Sequence, residues 1–136
     1  MSARVSSDMR WHEEGLAKDE KMRRPADSKA WKHVDSKYEW FACDAHNIRL
    51  CLASDGFNLF GMPNVTYTCW QVILIPYNLP PWLFEKQPYW MMSMLIPGPK
   101  SPGMNIDVYL RPLIDELKDL WEKGVDTWDD KGKEEF

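Results

Sequence analysis

Charge is scarce in the middle of this sequence. Between residues 48 and 97 only Arg49, Asp55, Glu85 and Lys86 are charged, so the middle third is expected to be the core and the flanks to be solvated. Glycine is also scarce, at seven residues, and none of them forms a phosphate-binding pattern, which removes the nucleotide-loop classes. Cysteine is limited to Cys43, Cys51 and Cys69. An odd number without repeated spacing argues against a disulfide framework and fits a reducing compartment. No apolar run approaches the roughly 20 residues that cross a bilayer, so no membrane partner is expected. The opening residues MSARVSSDMRWHEEG lack an apolar signal core. There is no basic excess either: the net charge is −4, which by itself gives no reason to expect nucleic acid.

What the chain does have is eight tryptophans and ten prolines in 136 residues. The aromatics provide apolar surface to bury and argue against disorder. The prolines break up long helices and central strands. Residues 1–24 are polar and mixed in charge and are expected to be loosely ordered. From Pro25 a helix is expected, capped by Asp27 or Ser28, with Ala30, Trp31, Val34, Tyr38 and Phe41 as its apolar stripe.

Three apolar runs follow: Ile48 to Ser54, Tyr67 to Ile75 and Trp90 to Ile96. The first ends at Asp55-Gly56, the second at Pro76, and the third at Pro97-Gly98-Pro99. Their connections of about ten to fifteen residues favour an antiparallel meander. Ile106, Leu110, Leu113, Ile114, Leu117, Leu120 and Trp121 then keep a helical period that stops at Gly124. Asn105 or Asp107 is placed to cap that helix, and Pro112 predicts an irregularity inside it. The expected class is α+β: a short helix, a three-stranded antiparallel meander and an amphipathic helix over residues 25–124, then an acidic tail over 125–136.

Asp55 is the one acid between Asp44 and Glu85. A carboxylate on a rigid strand suits a hard divalent cation, which takes oxygen ligands. The competing reading is a turn, because Asp-Gly commonly ends a strand. Cys43 and His46 resemble half of a zinc site, but a second pair is missing, and structural thiols are the better reading. His12 and His33 sit among charges and are expected to titrate in solvent. The loop Pro97 to Gly103 reads as a stiff surface turn, with a phosphate contact by Lys100 as the weaker alternative. The aromatics of Leu79 to Phe84 and Pro88 to Trp90 read as core caps rather than base-stacking surfaces, since no basic residues interleave them.

Several of these segments, taken in order, resemble a known family. They are Met9-Arg-Trp-His12, Arg24-Pro-Ala-Asp-Ser28, Ala30-Trp-Lys-His33, Arg49 to Asn58, Ile73-Leu-Ile-Pro-Tyr-Asn-Leu-Pro-Pro81, Leu95 to Gly103 and Ile106 to Leu110. Together they resemble the plant CACTA (En/Spm-type) transposases, from about Met9 to Asp126. The resemblance implies an incomplete ribonuclease-H-like core, Mg2+ or Mn2+ as cofactor, DNA as partner and residence in the nucleus. It makes Asp55 the first catalytic carboxylate and a metal ligand. Cys51 and Leu59 depart from the family, standing where Gly and Pro are expected, as in a decayed copy.

The resemblance implies a second carboxylate on a strand after the first helix and a third on a later helix, and Asp126, Asp129 and Asp130 are not expected to replace them. Two-metal hydrolysis clamps both the attacking and the leaving oxygen, which one aspartate cannot do. The expected function is therefore that of a DNA transposase fragment, inactive alone, with a domesticated or relic interaction module as the alternative. Lys21, Arg23 and Arg24 are the best basic candidates for DNA contact. An unpaired sheet edge would favour self-association.

Overall fold

The computed structural model describes residues 2–15, 21–58, 67–98 and 101–136. The chain divides into two compact units. One comprises Met1–Cys51, Ile75–Trp90 and Asp126–Phe136, the other Leu52–Leu74 and Met91–Val125.

The first unit is built from short pieces. Ala3–Met9 forms α1, Trp11–Glu14 α2, Lys29–Lys37 α3 and Glu39–Ala42 α4. Ser28 caps α3 by accepting the Trp31 amide hydrogen at 3.1 Å, while Asp27 belongs to the preceding 3-10 turn. The apolar stripe expected on one helix is divided between two, because Tyr38 leaves the helical region with φ −126°.

Residues 2–15 were expected to be loosely ordered and instead carry α1 and α2, with Ser6, Met9 and His12 buried. Met9 packs with Leu79 and Leu83, the latter on the short helix α5 (Pro81–Phe84). The expected segment 16–20 of that tail lies outside the described residues.

The other unit holds most of the three strands, β1 (Leu50–Asn58), β2 (Thr68–Pro76) and β3 (Met91–Ile96), in the order β1-β2-β3. The antiparallel sheet is followed by α6 (Ile106–Lys123), which confirms the α+β class and the element order. β2 pairs with β3 from Trp70↔Ile96 to Leu74↔Met91, with a register shift between Val72 and Ile73. Ser93 is the extra residue at that bulge, and its hydroxyl donates to the Val72 carbonyl at 3.1 Å.

Leu110, Leu113 and Leu117 of α6 pack on Val72, Leu74 and Met94. Gly124 ends the helix at φ +68°, a conformation that costs a residue without Cβ little. Asn105 stands at the cap position, yet its side chain makes no capping bond. Among the described residues β1 and β3 are both sheet edges, and β3 exposes Met91, Met92 and Leu95.

Two boundary expectations change. β1 runs past Asp55 and Gly56 to Asn58, so this pair does not form a turn. Residues 126–136 are acidic but do not form a free tail. Trp128–Asp129 (β4) pairs antiparallel with Glu134–Glu135 (β5), and Asp129 is fully buried.

Candidate functional site

Asp55 sits well inside β1, on an extended backbone held by the strand rather than by a turn. Gly56 explains why the strand continues. A Cβ at this position would come within 2.7 Å of the Trp70 ring on the neighbouring strand, so glycine here provides close approach, one of its two uses in strands. By alternation, Gly56 and Ser54 share the face of Trp70, Val72 and Leu74, which α6 covers. Asp55 faces the other way, with Ala53 and Phe57, and is exposed.

One Asp55 oxygen accepts the Gly56 amide hydrogen at 2.8 Å. Among the described residues Asp55 enters no ion pair, so its carboxylate has capacity left for a cation. That chemistry suits Mg2+ or Mn2+ as a hard oxygen donor. However, no group of three or more His, Cys, Asp or Glu gathers into a metal site among the described residues.

The Arg49 block begins at the other unit. There the Arg49 guanidinium lies 4.2 Å from the Trp31 ring centroid and 5.2 Å from that of Phe41, and it pairs with Asp35. Its backbone N–H donates to Asn78 Oδ1 at 2.7 Å. Arg49 thus anchors the entry to β1 through stacking and hydrogen bonding, with no exposed cationic face of its own.

A sequence model described as transposase family tnp2 matches residues 19–136. The chain belongs to this transposase family. No curated protein and no solved structure matches it.

Membership of the family leaves the other candidate residues to be placed. Cys43 is exposed, with its thiol against the Trp40 carbonyl at 3.1 Å, whereas Cys69 is buried. His46 is engaged elsewhere: Nδ1 meets Asp44 at 2.8 Å and Nε2 meets Asp129 at 3.2 Å. The Phe136 ring stacks on it with centroids 4.1 Å apart. A ring with a carboxylate at each nitrogen serves as a clasp for the β4–β5 hairpin. Lys100 lies outside the described residues. No helix among the described residues is long and apolar enough to cross a membrane.

Sequence reasoning missed this clasp, because its partners lie far apart in the chain and no spacing rule joins them. The buried Ser6 hydroxyl makes no hydrogen bond of ordinary geometry among the described residues, yet it acts on the Asp129 carboxyl. Its proximity is the largest influence on Asp129, and burial opposes it. Together with the Lys131 and Gly132 amides and the His46 ring, Ser6 holds the carboxyl far below the ordinary carboxylate range. His12, expected in solvent, is buried at 7% exposure. Burial pushes its pKa below the ordinary 6.5, although a contact with the Met9 carbonyl at 3.0 Å opposes the shift.

Both shifts act in the same direction on stability. Below pH 6.5 the unfolded chain protonates His12 more than the folded chain does, so stability falls as pH falls. The depressed Asp129 carboxyl adds a second loss, which begins as pH drops through the ordinary aspartate value of 3.8. The urea midpoint should therefore fall between about pH 7 and 5, and His12→Gln should flatten that slope. An unchanged slope in the variant would assign the effect to other groups.

Proposed function

We propose that this chain carries the opening strands of a CACTA (En/Spm-type) DNA transposase core of ribonuclease-H-like form. In this reading Asp55 is the first metal-binding carboxylate, DNA is the partner and the nucleus is the compartment. The observation that supports it most directly is the placement of Asp55. Its carboxylate is exposed on the sheet face opposite α6, is carried by a rigid strand, and has coordination capacity free. Three antiparallel strands preceding α6 agree with the order such cores take.

The same reading makes these residues inactive in strand cleavage on their own. Cleavage by two metals needs ligands for both, and Asp129, the best-held carboxylate of the C-terminal hairpin, is committed to His46. Asp55 is exposed, so Asp55→Ala should leave stability within about 0.5 kcal/mol and act as a clean probe.

Supercoiled DNA incubated with the chain and Mg2+ or Mn2+ should show no nicking above background. Nicking that disappears in Asp55→Ala would overturn the inactivity while keeping Asp55 as a ligand. Where the remaining carboxylates are supplied, Asp55→Ala should cost more than the roughly 10- to 100-fold that loss of an outer-shell partner costs. Activity that is insensitive to Asp55 would end its assignment.

A further inference from the structure

We infer that the pocket bordered by Trp11, Tyr77 and Phe84 is a seat for one unstacked nucleobase of a DNA strand. This rests on the reading of DNA as partner. The pocket lies entirely within one unit and measures about 150 Å³. Three blocks singled out in the sequence converge on it. Met9–His12 contributes Trp11 and His12, Arg24–Ser28 contributes Arg24, and Ile73–Pro81 contributes Tyr77. Phe84 and Glu85 complete the walls. The charge-poor aromatic stretch after Tyr77, read from sequence as a core cap, therefore borders a space that side chains leave open.

The size of that space limits its occupant. Well-packed interiors leave few voids larger than a water molecule, and an apolar cavity of about 150 Å³ is enough to take up one benzene ring. The pocket is well below the roughly 300 Å³ at which sites for whole small molecules begin. A single ring system fits that range.

The walls are planar. Tyr77 and Phe84 stand 5.3 Å apart at a 45° tilt. Trp11 is fixed edge-on against Trp82 at 5.5 Å, and the Arg24 guanidinium covers its ring at 4.1 Å. Aromatic and guanidinium planes are the surfaces on which bases stack.

The charges favour a base over a phosphate. Arg24 already pairs with Asp27 at 3.2 Å, where both side chains are largely buried, so its charge is offset. Arg23 and Glu85, of opposite sign, also line the space, so the walls offer a phosphate no net positive charge, while the Glu85 carboxylate can accept hydrogen bonds from an exocyclic amine. His12 offers a further polar edge.

Single-stranded oligonucleotides carrying one 2-aminopurine, titrated into the full chain, test this. Stacking of one base is worth about 1–3 kcal/mol, so Phe84→Leu and Tyr77→Leu should weaken binding by roughly 5- to 150-fold. The loss should be equal at low and high salt, since stacking releases no counterions. A wholly abasic strand should bind the wild type and both variants alike. Glu85→Gln alters an exposed side chain, leaves the fold intact, and should reduce the preference for dA and dC over dT.

DNA binding by the wild type that neither ring variant weakens, or an abasic strand bound as tightly as the normal one, would overturn the base seat while leaving DNA as partner. Absence of all DNA binding at low salt would instead overturn the DNA reading, and the seat with it. Quenching by a tryptophan-bearing peptide but by no oligonucleotide would assign the pocket to a protein side chain.

Discussion

Asn78→Ala should lower stability by about 3 kcal/mol, because one buried amide closes two backbone groups at the entry to the sheet. Asn78 is fully buried. Its Oδ1 accepts the Arg49 amide hydrogen at 2.7 Å, and its Nδ2 donates to the Asn47 carbonyl at 3.0 Å. Those two bonds fix the orientation of the amide, and Nδ2 also reaches His12 Nδ1 at 3.2 Å.

Truncation leaves one N–H and one C=O without partners in a site shielded from water, at about 1–3 kcal/mol each. The two sum to about 2–6 kcal/mol, and partial relaxation should keep the loss in the lower half of that range, near 3. Asn78→Asp keeps the shape and the acceptor but loses the donor, and it sets a carboxylate against the Asn47 carbonyl. It should therefore be at least as damaging as alanine. Urea unfolding followed by far-UV circular dichroism measures both. A loss under about 0.5 kcal/mol for alanine, the range of ordinary surface changes, would show that water replaces the amide.

Asn78 also illustrates where sequence reading stops. It occupies the turn after β2, in a stretch where the sequence offers only the strand-ending Pro76. Its energetic role depends on Asn47 and Arg49, which no periodicity connects to it. The periodic elements were legible for physical reasons. The run expected from Tyr67 to Ile75 is the strand Thr68–Pro76, and the run from Trp90 to Ile96 is Met91–Ile96. Pro76 and Pro97 mark their ends because proline cannot continue a ladder. The helix from Ile106 to Gly124 was legible from its 3.6-residue stripe and its glycine stop.

The parts that were not legible depend on tertiary partners. Asp55-Gly56 carries a turn signal, and the Trp70 ring across the sheet makes that glycine a packing requirement instead. The α1 and α2 helices are too mixed in charge to show a stripe, yet Met9 is buried with Leu79 and Leu83. The acidic C-terminal residues have the composition of a tail. They are held by the contact between Asp129 and His46 Nε2 at 3.2 Å and by the mutual backbone bonds of Thr127 and Phe136 at 3.0 and 3.1 Å. At Asp55 itself, position and residue type could be read from sequence, whereas the direction its side chain faces required the strand pairing.

Leu113→Ala should cost about 3 kcal/mol and Leu120→Ala less than 1, although both remove the same atoms from the same helix. Leu113 is the one buried residue of α6, at 8% exposure, whereas Leu120 is 44% exposed. Leu113 touches the cluster of Val72 and Leu74, and the helix meets the sheet through it, Leu110 and Leu117. Removal there loses the transfer free energy of the side chain and leaves a cavity that flanking leucines on a rigid helix fill only in part. Large-to-small changes of this kind cost about 2–5 kcal/mol.

Helix propensity cannot account for the difference, because alanine forms helix at least as well as leucine at either position. The pair of variants therefore isolates packing from local preference. Equal losses at the two positions would mean that α6 is held by its own helicity rather than by the sheet. A large loss at Leu113 alone would show that the face of the sheet opposite Asp55 depends on this helix for its cover, so the rigidity of the strand carrying Asp55 depends on it as well.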